Sequence, residues 1–359
     1  MSRIYNFSAG PATLPLACLE EARDQLVDYK GAGFSIMEAS HRGKEYDAVH
    51  NQAIENLKTL MCIPDDYEVL LLQGGATSQF AMIPMNLLGT GQTADYVNCG
   101  AWAKKAIKEA GAVGQVNIAG DTAADIPTRM PANDALQLSD SAAYLHITSN
   151  ETIGGNQYMD FPHSPAPLVA DMSSDILSRK IDVNDFGLIY AGAQKNLGPS
   201  GLAVVILRRE LAERAPDNVP NIFKYSTHIA ANSMSNTPPC FGIYMLSLTT
   251  QWMIDQGGVE AMQAINERKA GKLYDTIDGS DFFTGTAAPE YRSAMNVTFR
   301  LAKQDLEPLF IAEAAEQGMA GLKGHRSVGG IRASIYNAFP ESGVEALVAF
   351  MQDFAEKNG

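Results

Sequence analysis

Gly187-Leu188-Ile189-Tyr190-Ala191-Gly192-Ala193-Gln194-Lys195-Asn196-Leu197-Gly198-Pro199-Ser200-Gly201, continued by Leu202-Ala203-Val204-Val205-Ile206-Leu207, is the stretch on which the reading of this chain turns. Two apolar, β-prone runs flank a short polar turn marked by Gly and Pro, which predicts strand, loop, strand. One lysine stands at the tip of the first run, and no acidic residue from Tyr190 to Ser200 can pair with it. Such a lysine is either the solvated residue of a turn or an amine kept for chemistry. Burial would depress its pKa, and a neutral amine attacks a carbonyl carbon to form a Schiff base.

Upstream, Pro167-Leu168-Val169-Ala170-Asp171-Met172-Ser173-Ser174 is an apolar run that ends in an aspartate and then small polar residues. One connecting segment and one further strand separate Asp171 from Lys195, so in a parallel or mixed sheet their strand ends come side by side. Taken alone, Asp171 reads as a helix N-cap. Together the two are the pair that a pyridoxal phosphate site needs. The carboxylate keeps the pyridine nitrogen protonated, and the amine carries the aldehyde.

Composition sets the bounds. With 359 residues the chain has length for two domains, and 46% hydrophobic with 19% charged residues is ordinary for a soluble globular protein. The apolar runs fall short of the ~18 residues that cross a membrane, and Met1 to Ser8 lacks a secretory apolar segment. Cys18, Cys62, Cys99 and Cys240 form no C-x-x-C pair, so neither a metal site nor a disulfide framework is expected, and a reducing cytoplasm is. A net charge of −14 argues against a nucleic-acid partner. It also makes any cluster of Arg and His conspicuous.

Along the chain, an extended arm through Gly10-Pro11 precedes a helix expected from Leu16 to Tyr29. The basic cluster Ser40-His41-Arg42-Gly43-Lys44, in isolation a charged loop, leads into a second amphipathic helix. Tyr67 to Leu72 is a buried strand running into Gln73-Gly74-Gly75-Ala76-Thr77-Ser78 and a helix, a turn that offers backbone N–H groups to an anion. It is not a G-x-G-x-x-G or Walker pattern. Further strands are expected over Ala94 to Gly100, Val113 to Ile118 and Ala142 to Thr148, the first followed by Trp102 and the last by Ser149-Asn150-Glu151-Thr152. Strands separated by helices to about residue 207 predict an α/β fold with a mostly parallel sheet flanked by helices and functional groups at the strand ends. A helix over Phe241 to Gln256 closes this large domain (15–256), preceded by the arm (1–14). From residue 257 to 359 a smaller C-terminal α+β domain is expected, with strands over Ala294 to Leu301 and Ala333 to Tyr336, and the basic bend Gly324-His325-Arg326 inside it.

With these motifs in view, the chain resembles the phosphoserine aminotransferase family, pyridoxal-phosphate enzymes of the aspartate aminotransferase fold type. Asn6-Phe7-Ser8-Ala9-Gly10-Pro11, Ser40-His41-Arg42-Gly43-Lys44, Ala191-Gly192-Ala193-Gln194-Lys195-Asn196, Asn236-Thr237-Pro238-Pro239 and Lys323-Gly324-His325-Arg326 carry the resemblance from end to end. It implies transfer of an amino group from glutamate to 3-phosphohydroxypyruvate, and in some members use of a longer phosphorylated oxo acid on the route to pyridoxine. It implies Lys195 as the cofactor lysine, Asp171 at the pyridine nitrogen, Trp102 stacked on the ring and Thr152 at its phenolic oxygen. Ala76, Thr77 and Gln194 would hold the cofactor phosphate, with Asn236 and Thr237 reaching across a homodimer. Arg332 would take the substrate α-carboxylate, and His41, Arg42, His325 and Arg326 its phosphate. Some relatives carry Arg where this chain has Thr77. A serine–glyoxylate aminotransferase or cysteine desulfurase would share Lys195 and Asp171 without needing the two His-Arg pairs. A nucleotide-dependent dehydrogenase would leave Lys195 and Asp171 unexplained, and a catalytically silent binding relative would not need every chemical position filled.

Overall fold

The computed structural model describes residues 3–123 and 127–359. At its centre is a seven-stranded sheet. In chain order the strands are β1 (Tyr67–Gly74), β2 (Thr93–Asn98), β3 (Gln115–Asp121), β4 (Leu145–Thr148), β5 (Leu168–Asp171), β6 (Leu188–Gly192) and β7 (Gly201–Arg208). Their spatial order is β1-β7-β6-β5-β4-β2-β3. β7 pairs antiparallel with β1 and β6, and every other pairing is parallel. The apolar runs are continuous because both faces are buried. Val69, Leu71, Ile189, Ala191, Val204 and Ile206 enter one core. The residues between them, Leu70, Leu72, Leu188, Tyr190, Val205 and Leu207, enter the other, as the two-residue period of a pleated strand requires.

Among the described residues the longer helices that accompany this sheet are α1 (Leu16–Asp24), α2 (Lys44–Met61), α3 (Ala76–Leu87), α4 (Ala101–Val113) and α5 (Cys240–Asp255). Helices α3 and α4 cover one face through Phe80, Ile83, Ala106 and Ala110. The other face is covered by α2 and α5, through Leu57, Leu60, Ile243 and Leu246. Among the described residues the expectation of a helix between successive strands fails after β3, whose link to β4 holds only a 3-10 turn at Asn133–Ala135. The β4–β5 link is a hairpin pairing Asn150–Glu151 with Asn156–Gln157, and the β5–β6 link holds a 3-10 turn at Val183–Asp185. Two other expectations need correction. Helix α1 stops at Asp24 rather than Tyr29. Tyr29 N–H bonds to Phe34 O at 2.9 Å and Asp28 accepts from Gly33 N at 2.7 Å, and with Gly31 and Gly33 at positive φ these bonds close a compact loop instead. The strand expected at Val113 begins at Gln115, because Val113 is the last residue of α4.

A second layer follows: α6 (Gly258–Asp278), β8 (Phe283–Gly285), β9 (Asn296–Leu301), α7 (Glu307–Glu316), β10 (Ile331–Ser334) and α8 (Glu341–Asn358). The three strands form an antiparallel sheet in the order β8-β9-β10. Their core is aromatic, with Phe310 ring centroids 4.8 Å from Phe350 and 5.1 Å from Phe354. The N-terminal arm belongs to this layer. Tyr5–Asn6 pairs in parallel with Met319–Ala320, and Phe7 is part of the same core. Beyond it, Ala12 N–H reaches Gln194 O at 2.9 Å.

Lys269 of α6 ties the two layers together. Its buried ammonium donates to Ile335 O, Tyr336 O and Phe339 O at 2.9, 2.7 and 3.1 Å. Burial pulls its pKa down to about 7, but three accepting carbonyls call for the three protons of the charged form. Asn337, in the turn so held, donates its N–H to Asn196 Oδ1 at 3.0 Å and its amide to Leu177 O at 2.9 Å. Lys269→Met strands three carbonyls in the interior, each costing about 1–3 kcal/mol. The expected outcome is a clearly lowered urea midpoint; an unchanged midpoint would show that these bonds contribute nothing net.

Candidate active site

Because β1, β2, β4, β5 and β6 run in one direction, their carboxyl ends open along one edge of the sheet, where open α/β sheets bind ligands. The segments that leave those ends form a single pocket. Ala76 begins α3, and Trp102 lies in the first turn of α4. Thr148, Asn150 and Thr152 come from the end of β4, Asp171, Ser173 and Ser174 from the end of β5, and Gln194 and Lys195 from the end of β6.

Lys195 sits in a tight turn in which Ala193 O accepts from Leu197 N at 3.1 Å and Gly198 N at 2.8 Å. The side chain is 7% exposed, which settles the turn-residue alternative against it. Its Nζ donates to Thr152 Oγ1 and Ser174 Oγ, both at 2.7 Å, and these hydroxyls are 2.6 Å apart. Burial lowers the amine to about 8, opposed by the charges of Asp171 and Glu151 and reinforced by Arg332. Asp171, adjacent on β5, accepts from Ser173 N at 2.9 Å and Ser173 Oγ at 2.6 Å. Both bonds fall on Oδ1, leaving Oδ2 for the pocket. Burial raises its pKa, against the Ser173 bonds and the Lys195 charge, so a cation at Oδ2 would be favoured.

At the other end lies the amino terminus of α3. Gly74, at φ +103°, turns the chain into it. A Cβ on Gly192 would meet Gln194 Oε1 at 2.7 Å and Ala76 N at 3.3 Å, so the close approach of β6, Gln194 and the first α3 amide depends on that glycine. Free amides and the helix dipole there suit an anion. Thr77, one residue on, is exposed. Trp102 Nε1, Thr148 Oγ1 and Arg332 Nε are buried without a protein partner, as expected where polar ligand atoms complete the bonding. An amine, a carboxylate, an indole and an anion cradle in this order fit pyridoxal phosphate.

β10 delivers Arg332, whose guanidinium donates to Thr152 O at 3.5 Å. His325 and Arg326 precede it on a loop in which His325 Nδ1 lies 2.7 Å from Ser327 Oγ. Burial and the charges of Arg332, Arg326 and Lys105 hold the His325 pKa below its ordinary value, so these cations share one rim. Four expected residues lie elsewhere in this chain. His41 and Arg42 are on the loop before α2, and none of the four lines the Lys195 pocket, nor do Thr77, His325, Arg326 and Arg332, which stand outside its lining. Asn236 donates to Gln73 Oε1 at 2.7 Å, and Thr237 O accepts from the same glutamine.

Sequence reasoning passed over Ser173 and Ser174, which bond Asp171 and Lys195, and also Lys105 and Glu151. Lys105 stands three positions after Trp102, a helical spacing that places both on one face of α4. Glu151 is fully buried and accepts from Trp102 N at 3.0 Å, and burial pushes its pKa up to about 7. The polar run after β4 held the signal for Glu151, but its spacing favoured Thr152.

Residues 4–347 match the aminotransferase class-V family, the class of protein that this fold and pocket define. A phosphoserine aminotransferase of Desulfatibacillum aliphaticivorans is 55% identical over 365 residues, covering 100% of this chain and 99% of the relative. The solved phosphoserine aminotransferase of Bacillus circulans subsp. alkalophilus superposes with a TM-score of 0.97 at 53% identity, covering 99% of each chain. One from Trichomonas vaginalis, described as bound to pyridoxal phosphate, gives 0.94 at 40% identity, covering 98% of this chain and 100% of that one. The chain belongs to the phosphoserine aminotransferase family, whose aminotransferase chemistry uses pyridoxal phosphate.

The lowered Lys195 pKa predicts how the apo-protein reacts. Labelling of Lys195 by an aldehyde and borohydride should rise with pH through about 8 and level off above it. A midpoint near the ordinary lysine value of 10.5 would contradict the burial argument. The linkage has a fixed sign: between those values the unfolded chain keeps a proton that the folded chain has shed, so stability from this group rises with pH.

Proposed function

We propose that this protein transfers the amino group of L-glutamate to 3-phosphohydroxypyruvate, giving O-phospho-L-serine and 2-oxoglutarate, a step that forms the serine skeleton. The observation that carries this reading is the buried Lys195 amine, aimed by Thr152 and Ser174 in a pocket that also holds Asp171 and Trp102, with Arg332 bonded to Thr152 O beside it. Bound pyridoxal phosphate supplies the electron sink that lets the substrate Cα–H bond ionise.

The chain's own residues do the rest. Asp171 Oδ2 would keep the pyridine nitrogen protonated, and Trp102 would stack on the ring. Ala76, Thr77 and Gln194 would hold the cofactor phosphate, and Thr152 would reach the phenolic oxygen. Arg332 takes the α-carboxylate as a planar fork. Lys195 Nζ removes the proton from the substrate Cα and returns one on the cofactor side, a general acid–base role served by an amine titrating near neutrality. His325 and Arg326 take the substrate phosphate with His41 and Arg42.

We assign His41, Arg42, Asn236 and Thr237, which do not line their own chain's pocket, to a neighbour's site in a homodimer with two shared sites, on the strength of the family resemblance. We read the chain as a large domain, residues 15–256, and a small domain, residues 257–359, approached by the N-terminal arm. Among the described residues no helix is long and apolar enough to cross a membrane. With four free cysteines, we place the enzyme in the cytoplasm.

Lys195→Ala should abolish glutamate-dependent amination of 3-phosphohydroxypyruvate, since general acid–base catalysis alone supplies roughly 10²–10⁴-fold. Normal turnover in that variant would sink the assignment. Asp171→Asn should keep the fold, seen by circular dichroism, and lose most activity. Assembly is tested separately. Mixing an inactive Lys195→Ala chain with a chain inactivated at Asn236 and Thr237 should restore activity through hybrid dimers with one intact site. No recovery after verified subunit exchange would count against shared sites.

A further inference from the structure

A chain of net charge −14 has to hold a doubly charged phosphate at its pocket mouth. A further cation at the rim would serve that anion. α4 supplies one. Its first turn is pinned by the bond from Trp102 N to Glu151 Oε2, at 3.0 Å, and Lys105 follows one helical turn later. Lys105 Nζ lies 4.0 Å from the centroid of the Trp102 ring, and Lys195 Nζ lies 5.6 Å from the same centroid. One indole thus has both a buried amine and an exposed one close to its ring. A substrate whose Cα is worked by Lys195 has its far end a few bonds away, in the direction of solvent.

We propose that Lys105 determines specificity by gripping the distal phosphate of the 2-oxo acid substrate beside His325 and Arg326. The inference rests on the function proposed above and adds a residue to it. Arg332 is engaged at Thr152 O, deep enough to serve the α-carboxylate, so the phosphate falls to the groups further out. Lys105 is close enough to them for its charge to act on His325. An exposed cation–π contact is weaker than a charge-assisted hydrogen bond to phosphate, and the four-carbon stem lets the ammonium swing from the indole to the anion.

The test uses the holoenzyme and two variants, Lys105→Met and Lys105→Arg. Kinetics are measured with 3-phosphohydroxypyruvate and with unphosphorylated hydroxypyruvate, and inorganic phosphate serves as a competitive inhibitor. Lys105→Met should lower kcat/KM for the phosphorylated substrate about tenfold, mainly through KM, and weaken phosphate inhibition by a similar factor. Hydroxypyruvate should change by less than about twofold, and Lys105→Arg should retain most of the selectivity. The visible absorption band of the bound cofactor should stay in place, because Trp102 remains fixed by Glu151. Equal losses on both substrates, or a displaced band, would mean that Lys105 only supports Trp102, and the proposal fails. Undiminished selectivity in Lys105→Met, in an enzyme whose wild type strongly prefers the phosphorylated substrate, overturns the Lys105 assignment and leaves the function standing. A wild type that does not distinguish the two substrates overturns the function itself, and this inference with it.

Discussion

Parallel backbone pairing between β4, β5 and β6 is the constraint on which the site depends. Thr148 pairs with Asp171 and Asp171 with Tyr190, so three strands end level with one another. The residues just beyond those ends are therefore neighbours whatever their side chains. Thr152, Ser174 and Lys195 meet within hydrogen-bond distance because the ladder places their backbones there. A one-residue slip in any of these strands would send every side chain to the opposite face of the sheet. The continuous apolar runs on both faces make that slip costly, since each side of each strand is already committed to a core. The precision of the pocket is inherited from the packing of the sheet.

Burial then sets the chemistry. Lys195, Asp171 and Glu151 are all removed from water, and in each case desolvation works against the charged form. Opposite charges nearby offset part of that cost, with Lys195 lowering both carboxyls and the carboxyls raising Lys195. Arg332 adds a positive charge that pushes the lysine further toward its neutral form. The result is an amine, Lys195, and a carboxyl, Glu151, that change protonation state near neutral pH, which is where acid–base work is done. Lys269 shows the contrast. It is as deeply buried, but three carbonyls accept its protons, so its amine is committed to holding a turn.

Much of this was legible in the sequence, because strand ends carry local signals. The run before Asp171, the Gly-Pro turn after Lys195 and the Gly-Gly step before Ala76 each mark where a strand stops, and the pocket forms where strands stop. Helix boundaries were less legible. α1 ends early through loop bonds at Tyr29 and Asp28 that depend on φ values rather than on apolar period. The cover of one sheet face by α2 and α5 was hidden because those helices lie outside the strand series in sequence. Lys105 escaped because an exposed lysine on an amphipathic helix looks like any other until Trp102 is placed beneath it. His41, Arg42, Asn236 and Thr237 are the opposite case: motif resemblance singled them out, while their own chain leaves them away from the pocket.

The N-terminal arm has a consequence for the order in which the molecule can be built. Tyr5–Asn6 pairs with Met319–Ala320, and the same arm then passes Gln194 on its way to α1. During synthesis the first residues leave the ribosome long before their partners exist. The large sheet can close while the arm is still loose, but the ladder that anchors Tyr5–Asn6 cannot form until Met319–Ala320 have emerged, and before that the arm has contacts with earlier segments such as Ala12 N–H to Gln194 O. Joining the two ends of the chain closes nearly its whole length into one loop, an entropic cost met only after both cores have formed. The arm beside the lysine is thereby anchored last, so an incomplete chain can own the pocket without the ladder that fixes its strap.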